Sequence, residues 1–258
     1  MLDSQIVEFM SMSVPEGELS IISLGSDPAS EKYISIKKKY CENRGIRCGV
    51  YKIDPRLEDQ HILKKILSIV SNPAVSGVII QLPLPRPSLN TCLRLIPIEK
   101  DIDSISPASM ESFYAGKPLL LPPVIRALDL FLSETEKKSS SGNLSACVIG
   151  EGYLVGKPAA QYLQTKNYAV SVINDYRAGQ KINADIVILS AGVPNLVKGE
   201  DMSEGCDVVD FGSSVVDGVT TGDLDLNSQT EHLGLVSPSP GGVGPLVVRY
   251  LIMNYLGI

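Results

Sequence analysis

The sequence is short of the residues that build covalent and metal frameworks. Its five cysteines, Cys41, Cys48, Cys92, Cys147 and Cys206, are odd in number and scattered, with no C-x-x-C pair and no histidine at ligand spacing. That pattern excludes a disulfide framework and a zinc site, and it fits a reducing, cytoplasmic setting. Dense positive charge is missing apart from Lys37-Lys38-Lys39, and the net charge is -6. Nucleic acid and anionic membrane surfaces are therefore not expected partners. No apolar stretch approaches the ~20 residues that cross a bilayer. Met1-Leu2-Asp3-Ser4 places no basic segment ahead of an apolar one, so no secretory signal is expected. Repeats at solenoid periods and low-complexity tracts are also absent.

What remains is an ordinary globular composition, 44% hydrophobic and 20% charged over 258 residues, enough for one large domain or two modest ones with packed cores. Strand-like apolar runs at Leu19 to Leu24, Cys48 to Ile53 and Gly77 to Leu82 alternate with segments of helical periodicity, the rhythm of a parallel βαβ sheet. After the polar turn signal Lys137 to Asn143 a second series follows: Leu144 to Ile149, Ala169 to Ile173, Ala184 to Leu189 and Asp207 to Asp210. The expected fold class is α/β in two lobes with a cleft between them. The first lobe is placed at 1–119 and the second at 120–242, with a terminal helix of about 243–258.

Asp27-Pro28 is a helix start, an N-cap acceptor followed by proline at the first helical position, and Gly45 is a stop. Between them Ala29, Tyr33, Ile36 and Tyr40 are expected on the apolar stripe, with Lys37 beside Tyr33 on its edge. The ordinary reading is a core tyrosine next to a solvated lysine run; the other puts an aromatic and an amine into one pocket. Gly77-Val78-Ile79-Ile80-Gln81-Leu82-Pro83-Leu84-Pro85 reads as a buried strand stopped by prolines, which leaves Gln81 at its carboxyl end, where open α/β sheets bind ligands. Lys100-Asp101-Ile102-Asp103 ordinarily reads as a solvated turn. In the second lobe, Gly150-Glu151-Gly152 through Gly156-Lys157-Pro158 follows a strand and opens a helix, the context of a phosphate-binding glycine turn of Rossmann type.

In order and spacing, these segments resemble the bifunctional methylenetetrahydrofolate dehydrogenase/methenyltetrahydrofolate cyclohydrolase family. Tyr33 and Lys37 match its Tyr-x-x-x-Lys helix, Gln81 to Pro85 its second motif, and Lys100 to Asp103 its Lys-Asp-Val-Asp turn. Ser237-Pro238-Ser239-Pro240-Gly241-Gly242-Val243-Gly244-Pro245 matches the Pro-Gly-Gly-Val-Gly-Pro loop before the last helix and is the most specific of the set. The resemblance implies a folate-binding catalytic domain onto which the last helix packs back, a Rossmann-type dinucleotide-binding domain, and a homodimer. It implies interconversion of methylene-, methenyl- and formyl-tetrahydrofolate for one-carbon metabolism and purine biosynthesis, without a metal. Lys37 would transfer protons, Gln81 would hold it, Asp103 would bind the pterin nitrogens and Tyr33 would stack on the aminobenzoyl ring. Leu82, Pro240, Gly241 and Gly242 would complete the substrate contacts. Gly150, Glu151, Gly152, Gly156, Asp175, Gly192 and Ser213 would surround the nicotinamide dinucleotide.

The second lobe departs from the family pattern. Glu151 and Gly152 stand where the family has arginine and serine, and Asp175 aligns with a residue that commonly helps hold the 2′-phosphate of NADP. Acids there favour NAD over NADP through like-charge repulsion. Leu120 to Ile125 replaces the family's Pro-Cys-Thr-Pro-x-Gly segment, Ser104 replaces a glycine, and Val247 a threonine. An alternative is therefore a cyclohydrolase or folate-binding paralogue with weakened or lost dehydrogenase activity. A silent scaffold gives no reason for retaining Tyr33, Lys37, Gln81 and Asp103 together. An unrelated hydroxy-acid dehydrogenase would want a positioned histidine, and only His61 and His232 exist.

Overall fold

The computed structural model describes residues 13–25, 28–136 and 144–258. Met1 to Ser4, the expected N-cap Asp27 and the turn at Lys137 to Asn143 lie outside the described residues, as does the side chain of Ala29. The chain forms two compact units. One draws on the chain up to Pro123 together with Val248–Ile258, and the other is Val124–Val247. These divisions fall a few residues later than 119 and 242, at the start of a helix that opens with Pro123 and inside the first turns of the last helix.

In the first unit, β1 (Glu18–Leu24), α1 (Pro28–Asn43), β2 (Cys48–Ile53), α2 (Asp59–Val70) and β3 (Val75–Ile80) follow one another. The strands make a parallel sheet in the order β2-β1-β3, with Ile22 opposite both Tyr51 and Ile80. The central strand is covered on both faces, which is why its sequence is nearly continuous apolar residue rather than alternating. Ile62, Ile66 and Val70 of α2 recur at four-residue spacing and are buried in the same core as Ile22, Val78 and Ile80. Lys100 closes the end of α2 by donating from Nζ to the carbonyls of Val70 (2.9 Å) and Asn72 (3.1 Å), so it is a helix cap.

The buried stripe of α1 differs from the expected one by a residue. Ser30, Ile34, Lys37 and Cys41 are buried, while Tyr33, Ile36 and Tyr40 are only half-buried. The apolar character of the two tyrosines drew the expectation toward them, yet the face that meets the sheet carries a serine and a lysine. Lys38 and Lys39 are exposed.

The remainder of this unit is a 3-10 segment at Pro87–Leu95, a short one at Ile98–Lys100, α3 (Pro107–Tyr114), and the last helix, which belongs to this unit from Val248. Tyr255 lies over Gly77, where an added Cβ would sit 2.6 Å from the ring, and its hydroxyl is 2.8 Å from Ser76 Oγ. Asn254 is buried and donates through Nδ2 to the carbonyls of Ile102 and Leu121, each at 2.9 Å.

The second unit begins with α4 (Pro123–Glu136), then β4 (Ser145–Ile149), α5 (Gly156–Thr165), β5 (Ala169–Ile173), β6 (Ile186–Leu189), β7 (Val197–Lys198) and β8 (Asp207–Asp210). It continues with β9 (Ser214–Val216), β10 (Val219–Thr221), β11 (Leu224–Asp225), β12 (Val236–Ser237) and only the first turn of the last helix, α6 (Gly244–Leu256), whose remainder from Val248 is in the first unit. Five strands pair in parallel in the order β12-β8-β6-β4-β5. Successive connections from β4 leave in opposite directions, so β4 marks the switch point where such sheets open a ligand crevice. β9 and β10 form a hairpin whose turn, Asp217 and Gly218, has φ of 50° and 80°, as a type I′ turn requires. β7 and β11 pair separately in parallel.

Candidate active site

β3 stops at Ile80, two residues short of the expected end, and Gln81 extends the ladder by one bond from its N–H to the Ile22 carbonyl (2.8 Å). Gln81 Nε2 donates to the Leu82 carbonyl at 2.7 Å. This fixes the amide, because the donor side is taken and Oε1 is left facing away as an acceptor. Lys37 Nζ donates to that Oε1 at 3.0 Å. The amine is buried at 8% exposure, and desolvation pulls its pKa below the ordinary lysine value, with the charge of Asp103 opposing that pull.

The turn after Lys100 separates its two acids by task. Asp101 is buried and accepts from the N–H groups of Ile105 (3.2 Å) and Ser106 (2.7 Å), while its backbone bridges to Val78 of β3. Ser106 in turn caps α3 by accepting from the Ser109 N–H. Asp103 is half-buried; burial raises its pKa, Lys37 lowers it and the nearby Asp101 adds a smaller upward push. Its carboxylate thus interacts electrostatically with the same amine that Gln81 holds. Tyr33 sits one turn before Lys37 on α1, half-buried, and Leu82 contributes the carbonyl that orients Gln81. Ser104, which replaces the family glycine, is buried at φ 54° and donates through Oγ to the Leu120 carbonyl at 3.0 Å.

In the second unit a cavity of about 360 Å³ lies at the carboxyl ends of β4, β5 and β6. Ile149, Gly150, Glu151, Gly152, Asn174, Tyr176, Ser190, Ala191, Val193 and Leu196 line it. Gly150 has φ 92°, and a Cβ there would press on the backbone of Ser190 and Ala191; at Gly156 it would strike the Gly150 carbonyl. Both glycines are demanded by the turn itself. Gly152 is different: the nearest atom to an added Cβ is Ser190 O at 4.0 Å, so a serine would fit and the missing hydroxyl is a loss of chemistry only. The Glu151 N–H donates to Asn174 Oδ1 at 3.1 Å, and the Glu151 side chain is exposed.

Asp175, expected at the pocket, is exposed and does not line it; its neighbour Asn174 does. Both residues lie in the bend after β5, and only Asn174 reaches the lining. Ser213 and Gly192 likewise lie outside the lining, although Gly192, at φ 68°, belongs to the loop that Asp223 holds by accepting from the N–H groups of Ala191 (2.6 Å) and Gly192 (3.0 Å). Asn174, Tyr176, Ser190 and Leu196 were missed in the sequence. Asn174 and Ser190 immediately follow β5 and β6, and that strand-end position is the signal that would have found them. Pro240 and Gly241 are exposed and Gly242 half-buried within the second unit. A Cβ on Gly242 would collide with Ser237 Oγ and the Pro238 carbonyl, so the loop closes only on glycine. Among the described residues no cluster of three or more His, Cys, Asp or Glu is arranged to hold a metal ion, and no helix is long and apolar enough to cross a membrane.

This arrangement has counterparts in known proteins. Residues 2–103 match the model of the tetrahydrofolate dehydrogenase/cyclohydrolase catalytic domain, and residues 128–258 match that of the NAD(P)-binding domain of the same family. The chain belongs to the tetrahydrofolate dehydrogenase/cyclohydrolase family. The bifunctional protein FolD of Aquifex aeolicus is 32% identical to it over 260 residues, covering 99% of this chain and 89% of the relative. The crystal structure of the bifunctional FolD enzyme from Campylobacter jejuni superposes with a TM-score of 0.81 at 29% identity, over 98% of this chain and 90% of that one. The Trypanosoma brucei dehydrogenase-cyclohydrolase, solved with NADP and an inhibitor, superposes with a TM-score of 0.81 at 25% identity, over 99% and 90%. The two α/β units are thus a family catalytic domain and a family NAD(P)-binding domain.

Proposed function

We propose that the protein oxidises methylene-tetrahydrofolate with a nicotinamide dinucleotide and hydrolyses the resulting methenyl form to formyl-tetrahydrofolate, with Lys37 managing protons in the hydrolytic step. The observation that carries this reading is the buried Lys37 amine, held by Gln81 Oε1 at 3.0 Å and depressed in pKa by desolvation. A larger fraction of the amine is then neutral, and a neutral amine accepts a proton from water as it attacks the methenyl carbon. The fixed Gln81 amide keeps the lone pair aimed. Asp103, as carboxylate, offers two acceptors to the donor edge of a pterin, and Tyr33 offers a ring face to the aminobenzoyl group.

The glycine turn from Gly150 to Gly156 and the roomy position of Gly152 suit a dinucleotide at the end of β4. Bound there, the nicotinamide supplies the hydride acceptor. Glu151 beside the pocket, and Asp175 outside it, favour NAD. Each acid facing an added phosphate at about 4 Å costs roughly 1 kcal/mol in water-like surroundings and more where water is excluded. The expected result in steady-state assays is a specificity constant for NAD about tenfold or more above that for NADP, and Glu151→Arg should narrow the gap. A higher constant for NADP in the unaltered protein ends the NAD reading. The second reading, cyclohydrolase with little dehydrogenase, is favoured by Gly152, which has no hydroxyl to give. Methenyl-tetrahydrofolate hydrolysis without turnover of either dinucleotide would establish it. The homodimer implied by the family resemblance is tested by light scattering.

A further inference from the structure

The glycine turn at the end of β4 is fastened to both neighbouring strands. On one side the Gly150 N–H donates to the Ile173 carbonyl at 2.9 Å, and the Glu151 N–H donates to Asn174 Oδ1 at 3.1 Å. On the other, the carbonyls of Gly150 (2.9 Å) and Ile149 (3.1 Å) lie within donor reach of Ser190 Oγ. Ser190 thus spends its one proton inside the turn, whereas Asn174 spends only its acceptor. The bond from Glu151 fixes which end of the Asn174 amide is oxygen, and the Nδ2 end, with two protons, is left for a ligand. Asn174 is exposed and lines the cavity together with Glu151 and Gly152. β4, α5 and β5 form a parallel βαβ unit, and the end of the second strand of such a unit is where the adenosine ribose of a dinucleotide is met. The residue there that reaches the cavity is Asn174, while Asp175 lies outside the lining. We propose that Asn174 is the specificity-determining residue for the adenosine ribose, donating from Nδ2 to the 2′ oxygen while Oδ1 holds the Glu151 backbone. The assignment rests on a nicotinamide dinucleotide occupying this cavity and names what selects it there.

Asn174 and Glu151 make a pair of opposite hydrogen-bonding character. The Nδ2 group only donates, and the Glu151 carboxylate only accepts. A 2′-hydroxyl does both, so one hydroxyl satisfies both side chains. A 2′-phosphate only accepts, so it gains from the amide and is repelled by the acid. Asn174 therefore binds either cofactor, and the choice between them falls to the charge beside it. An aspartate at this position would still accept from the Glu151 N–H and from the ribose hydroxyl, but would set a second negative charge against the phosphate. The side chain at 174 thus decides how far a preference for NAD goes: the amide weakens NADP less than an acid would.

The test is titration calorimetry of the full chain with NAD, NADP and the NAD analogue whose adenosine lacks the 2′-hydroxyl. The unaltered protein should bind NAD about tenfold more tightly than the deoxy analogue, the worth of one well-made hydrogen bond. Asn174→Ala should weaken NAD and shrink that gap to about threefold or less. Asn174→Asp should keep the gap and raise the NAD-over-NADP preference by about a further tenfold. A gap that survives intact in Asn174→Ala means that the residue acts on the turn alone, and overturns the ribose contact. An unchanged NAD-to-NADP ratio in Asn174→Asp overturns it as well, and that variant, which keeps the acceptor for the Glu151 N–H, stays informative if Asn174→Ala disturbs the turn. Failure of the unaltered protein to bind NAD or NADP is a separate result, which removes the dinucleotide from the cavity and this inference with it.

Discussion

At the scale of single residues, the two ionisable groups of the folate side act on each other in opposite senses. Burial lowers Lys37 and raises Asp103, and in each case the partner's charge resists the shift. The negative Asp103 favours the ammonium form of Lys37, so it holds the lysine pKa higher than burial alone would leave it. Replacing Asp103 by asparagine removes that support and lets the amine stay neutral to lower pH. The acidic limb of the cyclohydrolase profile, read in kcat at saturating folate, should move down by about one pH unit. Lys37→Met should lower hydrolysis by about 100-fold or more, the usual contribution of a positioned proton-transfer group, and should raise the Asp103 pKa as followed by carboxyl NMR. A limb that stays put or moves up in Asp103→Asn contradicts the coupling. Asp101, two residues earlier, shows how little sequence position alone assigns: its carboxylate is consumed by the Ile105 and Ser106 N–H groups and works as scaffold.

At the scale of elements, β1, β4 and β8 were legible because they are buried in their sheets and read as short apolar stretches, while the edge strands β2 and β5, only half-buried or exposed, were legible from β-branched residues bounded by turn signals. The face of α1 was not, because its buried stripe includes Ser30 and Lys37 and leaves Tyr33 and Tyr40 half-exposed. A hydropathy pattern reports the average preference of residue types, and here the chemistry of the pocket overrides it. The turn carrying Asp103 was legible only by family resemblance, and the consequence of Ser104 only from the backbone. At φ 54° a side chain costs about 1 kcal/mol, while the bond from Oγ to the Leu120 carbonyl returns a similar amount. The two terms nearly cancel, and the variants separate them. Ser104→Gly loses the bond and the strain together and should leave the denaturation midpoint almost unchanged. Ser104→Ala keeps the strain and loses the bond, and should be the less stable by about 1 kcal/mol in denaturant unfolding. Equal midpoints for the two variants would mean that φ strain plays no part.

At the scale of the whole molecule, the last helix belongs to the first unit from Val248, and two of its side chains, whose roles no periodicity reveals, tie it there. Tyr255 needs the bare backbone of Gly77, and Asn254 satisfies two carbonyls from separate segments. The NAD(P)-binding domain has its own polar core. Asp210 and Asp223 are buried at 2% and 0% exposure, in space left free by Gly212 and Gly222. Burial pushes Asp210 up to about 6, against the N–H groups of Leu224 and Gly212 and with added repulsion from Asp223. Because the native value lies above the unfolded one, the folded domain binds more protons than the unfolded chain between about pH 4 and pH 6. The contribution is complete below that window and is lost as pH rises through the native value. Denaturant unfolding should therefore show this domain losing up to about 2–3 kcal/mol between pH 4 and pH 7 from this group, and Asp210→Asn should flatten the slope whatever its effect on absolute stability. The same carboxylates brace the β6 and β8 ends beside the nucleotide pocket, so the flattening should be seen in fragments spanning β8 when hydrogen exchange is followed, and not in those spanning β1. An unchanged slope in the variant would place the proton elsewhere, with Asp223, whose Oδ1 is buried without a partner, as the group left to carry it.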